Sequence, residues 1–269
     1  MGQRHHCRFF VAAERIRHGW VEFTPAQAHQ LTHVLRLRSG DRVSVFDGTG
    51  REIVASLTTA TPRRVTARVI EELPLHTPPH VRITLGQVVP RGPAMDLIVA
   101  KATELGVNRI IPLEGERSVR RAPVTPSARW LRIAQEAAEQ CGRRDLPDLA
   151  PACTLEAFLR SHPREAPLLA CDASQASQPL MAVCQELGGA ASLTLLIGSE
   201  GGLGCTEVEQ LRSSGARLTS LGPRILRAET AALAALAIIQ ATVGDWGLLS
   251  VDEDGVMSVW GGQRAPLTR

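Results

Sequence analysis

The sequence predicts an α/β protein in two parts, a small amino-terminal β-barrel followed by a mostly parallel sheet with helices on both faces. Three observations predict it. Apolar and polar residues alternate with period two over 8–11, 42–47 and 52–57, with turn pairs at Asp47-Gly48 and Thr49-Gly50. Pro74, Pro78 and Pro79 then punctuate the chain. Beyond them strand-like and helix-like stretches take turns, as parallel strands joined by crossover helices require.

Within the first part, Thr24-Pro25-Ala26-Gln27 opens a short helix that carries His29, His33 and Val34. It runs out before Arg36, Arg38 and the turn at Ser39-Gly40. The second part reads as a strand over 81–88, a helix over 94–105 ending at Gly106, and a strand over 109–113. A helix over 127–141, a strand over 168–171, a helix over 180–187 and a strand over 193–197 follow. Domains are therefore expected at 1–73 and 79–246. Residues 247–269 show no periodicity and are expected to be a tail.

Composition narrows the function classes. The 269 residues are 44% hydrophobic, enough for a sizeable core. The 6 cysteines form no Cys-x-x-Cys pair, so no metal is expected and reduced thiols in a cytoplasmic protein are. The polar start of the chain lacks the apolar stretch of a signal peptide, and 231–243 is too short to span a bilayer, so no membrane partner is expected. Lys101 is the only lysine, and the net charge of +3 is unevenly spread. Residues 1–70 hold 11 arginines against 5 acidic residues, a net of +6, leaving 19 basic against 22 acidic residues, a net of −3, in the rest. An arginine-rich first domain suits a phosphate-bearing partner, because guanidinium groups fork onto phosphate oxygens and stack on bases. A solvated basic face with no partner remains the alternative.

Two segments carry candidate chemistry. Leu195-Leu196-Ile197 reads as a buried strand end and runs into Gly198-Ser199-Glu200-Gly201-Gly202 before a helix begins near Cys205. Glycines at the carboxyl end of a strand let backbone approach a ligand, at the edge where open α/β sheets bind one. A P-loop is excluded, since Lys101 is nowhere near, and a dinucleotide fingerprint belongs after an early strand, not here. The second segment passes from Leu218-Thr219-Ser220-Leu221 through Gly222-Pro223 into an alanine-rich helix. Arg227, Glu229 and Thr230 gather at its start, where backbone N–H groups are free. An ion pair beside a helix cap is the structural alternative for Arg227 and Glu229.

Ile-Gly-Ser-Glu-Gly-Gly at 197–202 and Leu-Gly-Pro-Arg-Ile-Leu-Arg-Ala-Glu-Thr-Ala at 221–231 resemble the cofactor-site signature of the SPOUT methyltransferases. The resemblance is closest to the RsmE family, which methylates N3 of a uridine in 16S ribosomal RNA. Arg8-Phe9-Phe10-Val11, His33-Val34-Leu35-Arg36 and the stretches 101–107, 116–118 and 136–143 extend it from residue 8 to about residue 245. It implies a PUA-like RNA-binding barrel, an α/β domain tied in a trefoil knot, a homodimer and S-adenosyl-L-methionine as cofactor. Backbone of Gly198, Gly201, Gly202, Leu221, Gly222, Ile225 and Leu226 would grip the cofactor. Glu200 and Arg227 would face the reacting region, with Glu229 orienting Arg227. Arg8, Arg117, Gln140 and Arg143 are the expected contacts to 16S ribosomal RNA of the small subunit. One departure is Ser199, where the family usually has proline; serine loses the fixed φ and regains an N–H. The competing expectations are a SPOUT enzyme acting on another RNA and a non-catalytic RNA-binding protein of ribosome assembly.

Overall fold

The computed structural model describes residues 7–75, 78–116, 127–172, 177–247, 250–251, 257–259 and 263–264. The chain forms two compact units, one of residues 1–78 with 132–146, the other of residues 79–131 with 147–269.

The first unit is a curled six-stranded sheet. Its strands are β1 (Arg8–Phe10), β2 (Ile16–Arg17), β3 (Trp20–Glu22), β4 (Arg42–Phe46), β5 (Glu52–Thr61) and β6 (Arg64–Glu72), in the order β1-β4-β5-β6-β3-β2. Only the β1–β4 pairing is parallel, and β1 and β2 are the edges of the ladder. The period-two pattern places Phe9, Val21, Val43, Val45, Ile53, Ala55, Leu57, Val65 and Ala67 in one core. Between β3 and β4, α1 (Pro25–His29) starts on a capping box of Thr24 and Gln27 with proline in its first turn. It continues as a π-helix over Gln30–Val34.

Residues 132–146 belong to this unit. They include most of α3 (Ala128–Cys141), which the alternation of strands and helices had assigned to the parallel-sheet part. Three partly buried hydrogen bonds tie the segment to β1. Glu139 Oε1 accepts from the Phe10 N–H at 2.8 Å, and Arg8 donates to the carbonyls of Ala138 at 3.1 Å and Arg143 at 3.2 Å. Burial raises the Glu139 carboxyl above its ordinary value, the Phe10 N–H opposes that shift, Glu136 adds to it and Arg8 lowers it. The folded chain thus holds this proton more firmly than the unfolded chain, so stability falls as pH rises from the ordinary carboxylate range through the raised value. Glu139→Gln keeps an acceptor for Phe10 and cannot ionise. Its urea midpoint at neutral pH should exceed that of the parent and lack the acid-to-neutral decline, and a lower midpoint at neutral pH would count against this role.

The second unit is a parallel sheet. Its strands are β7 (Arg82–Val88), β8 (Arg109–Glu114), β9 (Asp148–Leu149), β10 (Cys153–Thr154), β11 (Leu168–Cys171), β12 (Gln178–Pro179), β13 (Ser192–Ile197) and β14 (Arg217–Ser220). The order is β10-β8-β7-β13-β11-β14-β12, with β9 beside β8. The helices are α2 (Ala94–Glu104), α4 (Leu155–Ser161), α5 (Leu180–Glu186), α6 (Cys205–Ser213) and α7 (Ala228–Thr242). Central β13 is buried from Leu193 to Ile197 because helices cover both faces of a parallel sheet. In α7, which packs against α2 and α5, Ala228, Ala232, Ala235, Leu236 and Ile239 are buried. Gln240 fastens it by donating to the Leu105 carbonyl at 2.7 Å.

The carboxyl-terminal residues are not without regular structure, as their lack of periodicity had suggested. Ser250–Val251, Met257–Val259 and Gln263–Arg264 pair as a three-stranded antiparallel sheet. Strands of two or three residues are too short to write a period-two signal.

Candidate functional site

Three neighbouring strands, β13, β11 and β14, end at one level, since Cys171 pairs with both Ile197 and Thr219. Strands β13 and β14 lie on opposite sides of β11, so the chains leaving them part and open a crevice at the carboxyl edge of the sheet. The crevice holds a cavity of about 260 Å³. Small-molecule sites start at about 300 Å³, so it suits one modest ligand.

The loop after β13 is built on close backbone approach. A Cβ at Gly198 would lie 2.9 Å from the Gly202 carbonyl carbon and 3.2 Å from the Leu203 nitrogen. Gly202 adopts φ +70° and donates its N–H to the Ser199 carbonyl at 2.9 Å, closing a turn over Glu200 and Gly201. Beneath the loop, the buried Gln87 amide donates to the carbonyls of Val88 at 2.9 Å and Gly198 at 3.2 Å. Buried Glu207 accepts from the N–H groups of Gly204 at 2.7 Å and Glu116 at 3.0 Å, which fixes the start of α6. The Ser199 hydroxyl is buried, with no hydrogen-bond partner among the described residues.

Every residue expected to grip a cofactor, Gly198, Gly201, Gly202, Leu221, Gly222, Ile225 and Leu226, lines the cavity. The residues expected to do chemistry divide. Glu200 lines the cavity, and its Oε1 accepts from the Arg91 N–H at 2.7 Å, so it braces the loop. Arg227 is the N-cap of α7, makes no side-chain cap bond, and is not part of the lining. Among the described residues no ion pair joins Arg227 to Glu229.

The expected RNA contacts fare differently. The Arg8 guanidinium is spent inside its own unit, pairing with Glu52 at 2.8 Å as well as the two carbonyls of α3 and its trailing turn, with the side chain 16% exposed. It also lies 4.8 Å over the Phe46 ring. Arg143 pairs with Asp145 at 2.9 Å and is 10% exposed. Gln140 is exposed. Arg117 lies outside the described residues. Arg8 spends three of its five N–H donors on protein acceptors and Arg143 pairs with Asp145, so both also serve as struts inside the first unit.

Cys171, Asp172, Thr219, Ser220 and Arg224 also line the cavity and were not singled out from the sequence. The rule that ligands sit beyond the carboxyl ends of parallel strands points to the first two, since the strand over 168–171 was legible. Burial pushes the Cys171 thiol up to about 12, so it stays protonated and serves as lining, not as a nucleophile.

The family model of an RNA methyltransferase domain matches residues 77–240, and that of an RNA methyltransferase PUA domain matches residues 23–70. Ribosomal RNA small subunit methyltransferase E of Synechocystis is 34% identical over 235 residues, 87% of this chain and 77% of that protein. The Bacillus subtilis protein of the same name is 30% identical over 80% of this chain and 88% of its own length. A crystal structure of ribosomal RNA small subunit methyltransferase E from Neisseria gonorrhoeae bound to S-adenosyl methionine superimposes with a TM-score of 0.81 at 31% identity, covering 90% of this chain and all of that one.

Proposed function

We propose, from the premise that this chain belongs to the RNA methyltransferase family that includes ribosomal RNA small subunit methyltransferase E, that it methylates N3 of one uridine in 16S ribosomal RNA. S-adenosylmethionine is the methyl donor. The observation that supports this reading is the convergence of two separate glycine-bearing segments on one cavity beyond β11, β13 and β14.

The residues present fit such a donor. Glycine backbone at 198 and 202 gives a close cradle, the Ser199 hydroxyl is a spare hydrogen-bonding group, and Ala228 and Ala231 bring the open amino terminus of α7 to the cavity. Gly198, Gly201, Gly202, Leu221, Gly222, Ile225 and Leu226 would hold it through backbone groups. Helix N–H groups favour a carboxylate. When bound, S-adenosylmethionine supplies an electrophilic methyl on sulfur.

The chain's own task is then to align the base and manage one proton. Uracil N3 is protonated at neutral pH, so the proton must pass to water or a base while cationic donors hold the charge left on the carbonyl oxygens. Arg227, at the head of α7 and outside any ion pair among the described residues, would donate there. Glu200 holds the loop in shape through Arg91. The trefoil knot, the closed PUA-like barrel, a cytoplasmic location and a homodimer belong to the same reading. Ile225, 88% exposed at the cavity, is an apolar group that a second copy would cover. No helix among the described residues is long and apolar enough to cross a membrane.

Calorimetry with S-adenosylhomocysteine, followed by methyl transfer to small-subunit RNA, tests the reading. The parent protein should bind, and Arg227→Ala should bind normally but transfer methyl about a hundredfold more slowly, the size of effect of losing one charge-stabilising donor. No binding by the parent would remove the donor assignment. Full transfer by a folded Arg227→Ala would remove the role of Arg227.

A further inference from the structure

We propose that the surface from His29 to Arg38 is the docking site for single-stranded RNA in the first unit, with the His29–His33 pair and Leu35 receiving unstacked bases and Arg36 and Arg38 their phosphates. This deepens the rRNA reading above and rests on it for the identity of the RNA.

Helix α1 and its π continuation bury Ala28 and Leu31, which turns His29 and His33 outward. The two rings stack at 4.5 Å with planes 11° apart, and Thr32 Oγ1 lies 3.0 Å from His33 Nδ1. One face of each ring covers the other, and the outer faces are left to solvent. Next to them Val34 is 66% and Leu35 37% exposed, apolar side chains that the unit's own core does not use.

The backbone here is held in an unusual shape. Leu35 donates to the Gln30 carbonyl at 2.9 Å, the wide π spacing, and Leu37 donates to the Leu31 carbonyl at 2.9 Å. Arg36 sits between them at φ +55°, where glycine or asparagine is usual. Wide turns and left-handed non-glycine residues gather at functional sites because a fold without need of them relaxes. The turn ends the helix at Leu35 and leaves Arg36 and Arg38 exposed directly after it. Both arginines are exposed, and among the described residues neither has an ion pair. Asp41, the nearest acid in sequence, accepts from the Arg38 backbone at 2.7 Å.

Charge selects an anion as the occupant, since residues 1–70 carry a net of +6. Flat rings with apolar neighbours between free guanidinium groups select unpaired bases, because a duplex hides its base faces.

Fluorescence anisotropy with a short fluorescein-labelled RNA, single-stranded or annealed to its complement, tests the proposal on the full chain. The single strand should bind more tightly than the duplex. Arg36→Asn with Arg38→Gln, where asparagine tolerates the left-handed backbone, should weaken it about tenfold and flatten the log–log salt slope by about 1.4, two contacts at about 0.7 each. His33→Ala should weaken it about fivefold with the slope unchanged, as loss of one stacked base does. Arg63→Gln, on the turn between β5 and β6 of the same unit, should change affinity by less than about twofold. No binding to RNA, a preference for duplex, parent-like binding by the Arg36/Arg38 variant, or an equal loss in Arg63→Gln would each overturn the proposal. Hydrogen exchange across 7–75 reports folding of the variants, and S-adenosylhomocysteine calorimetry is run on the same samples. The calorimetry separates the readings: a parent that binds RNA here but not S-adenosylhomocysteine contradicts the methyl-donor assignment and leaves this surface standing.

Discussion

Gly198→Ala should weaken S-adenosylhomocysteine binding between about tenfold and about a hundredfold, the equivalent of an overpacking cost of about 1–3 kcal/mol. The added methyl would meet Gly202 and Leu203 backbone at 2.9–3.2 Å. Neither side has room to yield: Gly202 is tied to Ser199, and the Gly198 carbonyl is held by Gln87 from below. The loop must open to admit the methyl, and opening it dismantles the turn that carries Glu200 and Gly201. Gly222→Ala is the informative comparison. Its Cβ meets nothing within 4 Å, yet φ is +105°, so the loss there reports backbone strain alone. Gly189→Ala, on the turn between α5 and β13, shares the positive φ and should leave binding intact. Calorimetry on the three variants separates crowding from strain, and parent-like binding by Gly198→Ala would mean that the loop is not the cradle described.

Glu52→Ala should be the most destabilising single change in the first unit. Its carboxylate, 6% exposed, pairs with Arg8 at 2.8 Å and Arg144 at 2.6 Å, whose side chains are 16% and 22% exposed. Removing it strands two largely buried cations. Breaking a buried pair costs about 3–5 kcal/mol, because the remaining charge keeps its desolvation penalty without its partner. Arg8 binds α3 and its trailing turn, and Arg144 binds the Pro74 carbonyl at 2.7 Å, so both struts loosen together. Hydrogen exchange should quicken across 132–146 and β1, while the core of the parallel sheet keeps its protection. The exposed Arg51–Glu72 pair on the same sheet is the counter-example, and Glu72→Gln should change little. Unchanged exchange in Glu52→Ala would show that the apolar core alone holds the segment.

The glycines were the legible part of the site. A strand end followed by three glycines states a geometry in local sequence, and a second turn at Gly222-Pro223 states another, so both loops could be placed before any coordinates. The internal pairing of Arg8 is the opposite case. An arginine looks alike whether its acceptor is a phosphate or a carboxylate, and its acceptor, Glu52, is 44 residues away in the chain. Long-range pairing also hid the allegiance of residues 132–146, whose helical periodicity is the same whichever core receives it. Asp172 and Cys171 were missed because one short strand end carries no glycine to advertise it. The His29–His33 stack was visible as spacing on a helix, but the π turn that exposes it depends on backbone hydrogen bonds, which leave no mark in sequence.

The central claim is methylation of one uridine at N3, and nucleoside mass spectrometry of small-subunit RNA meets it most directly. RNA from a strain lacking the gene, compared with its parent, should lose N3-methyluridine at one position and regain it when the gene is restored, but not when Arg227→Ala is supplied instead. An unchanged N3-methyluridine content in the strain lacking the gene would contradict the account.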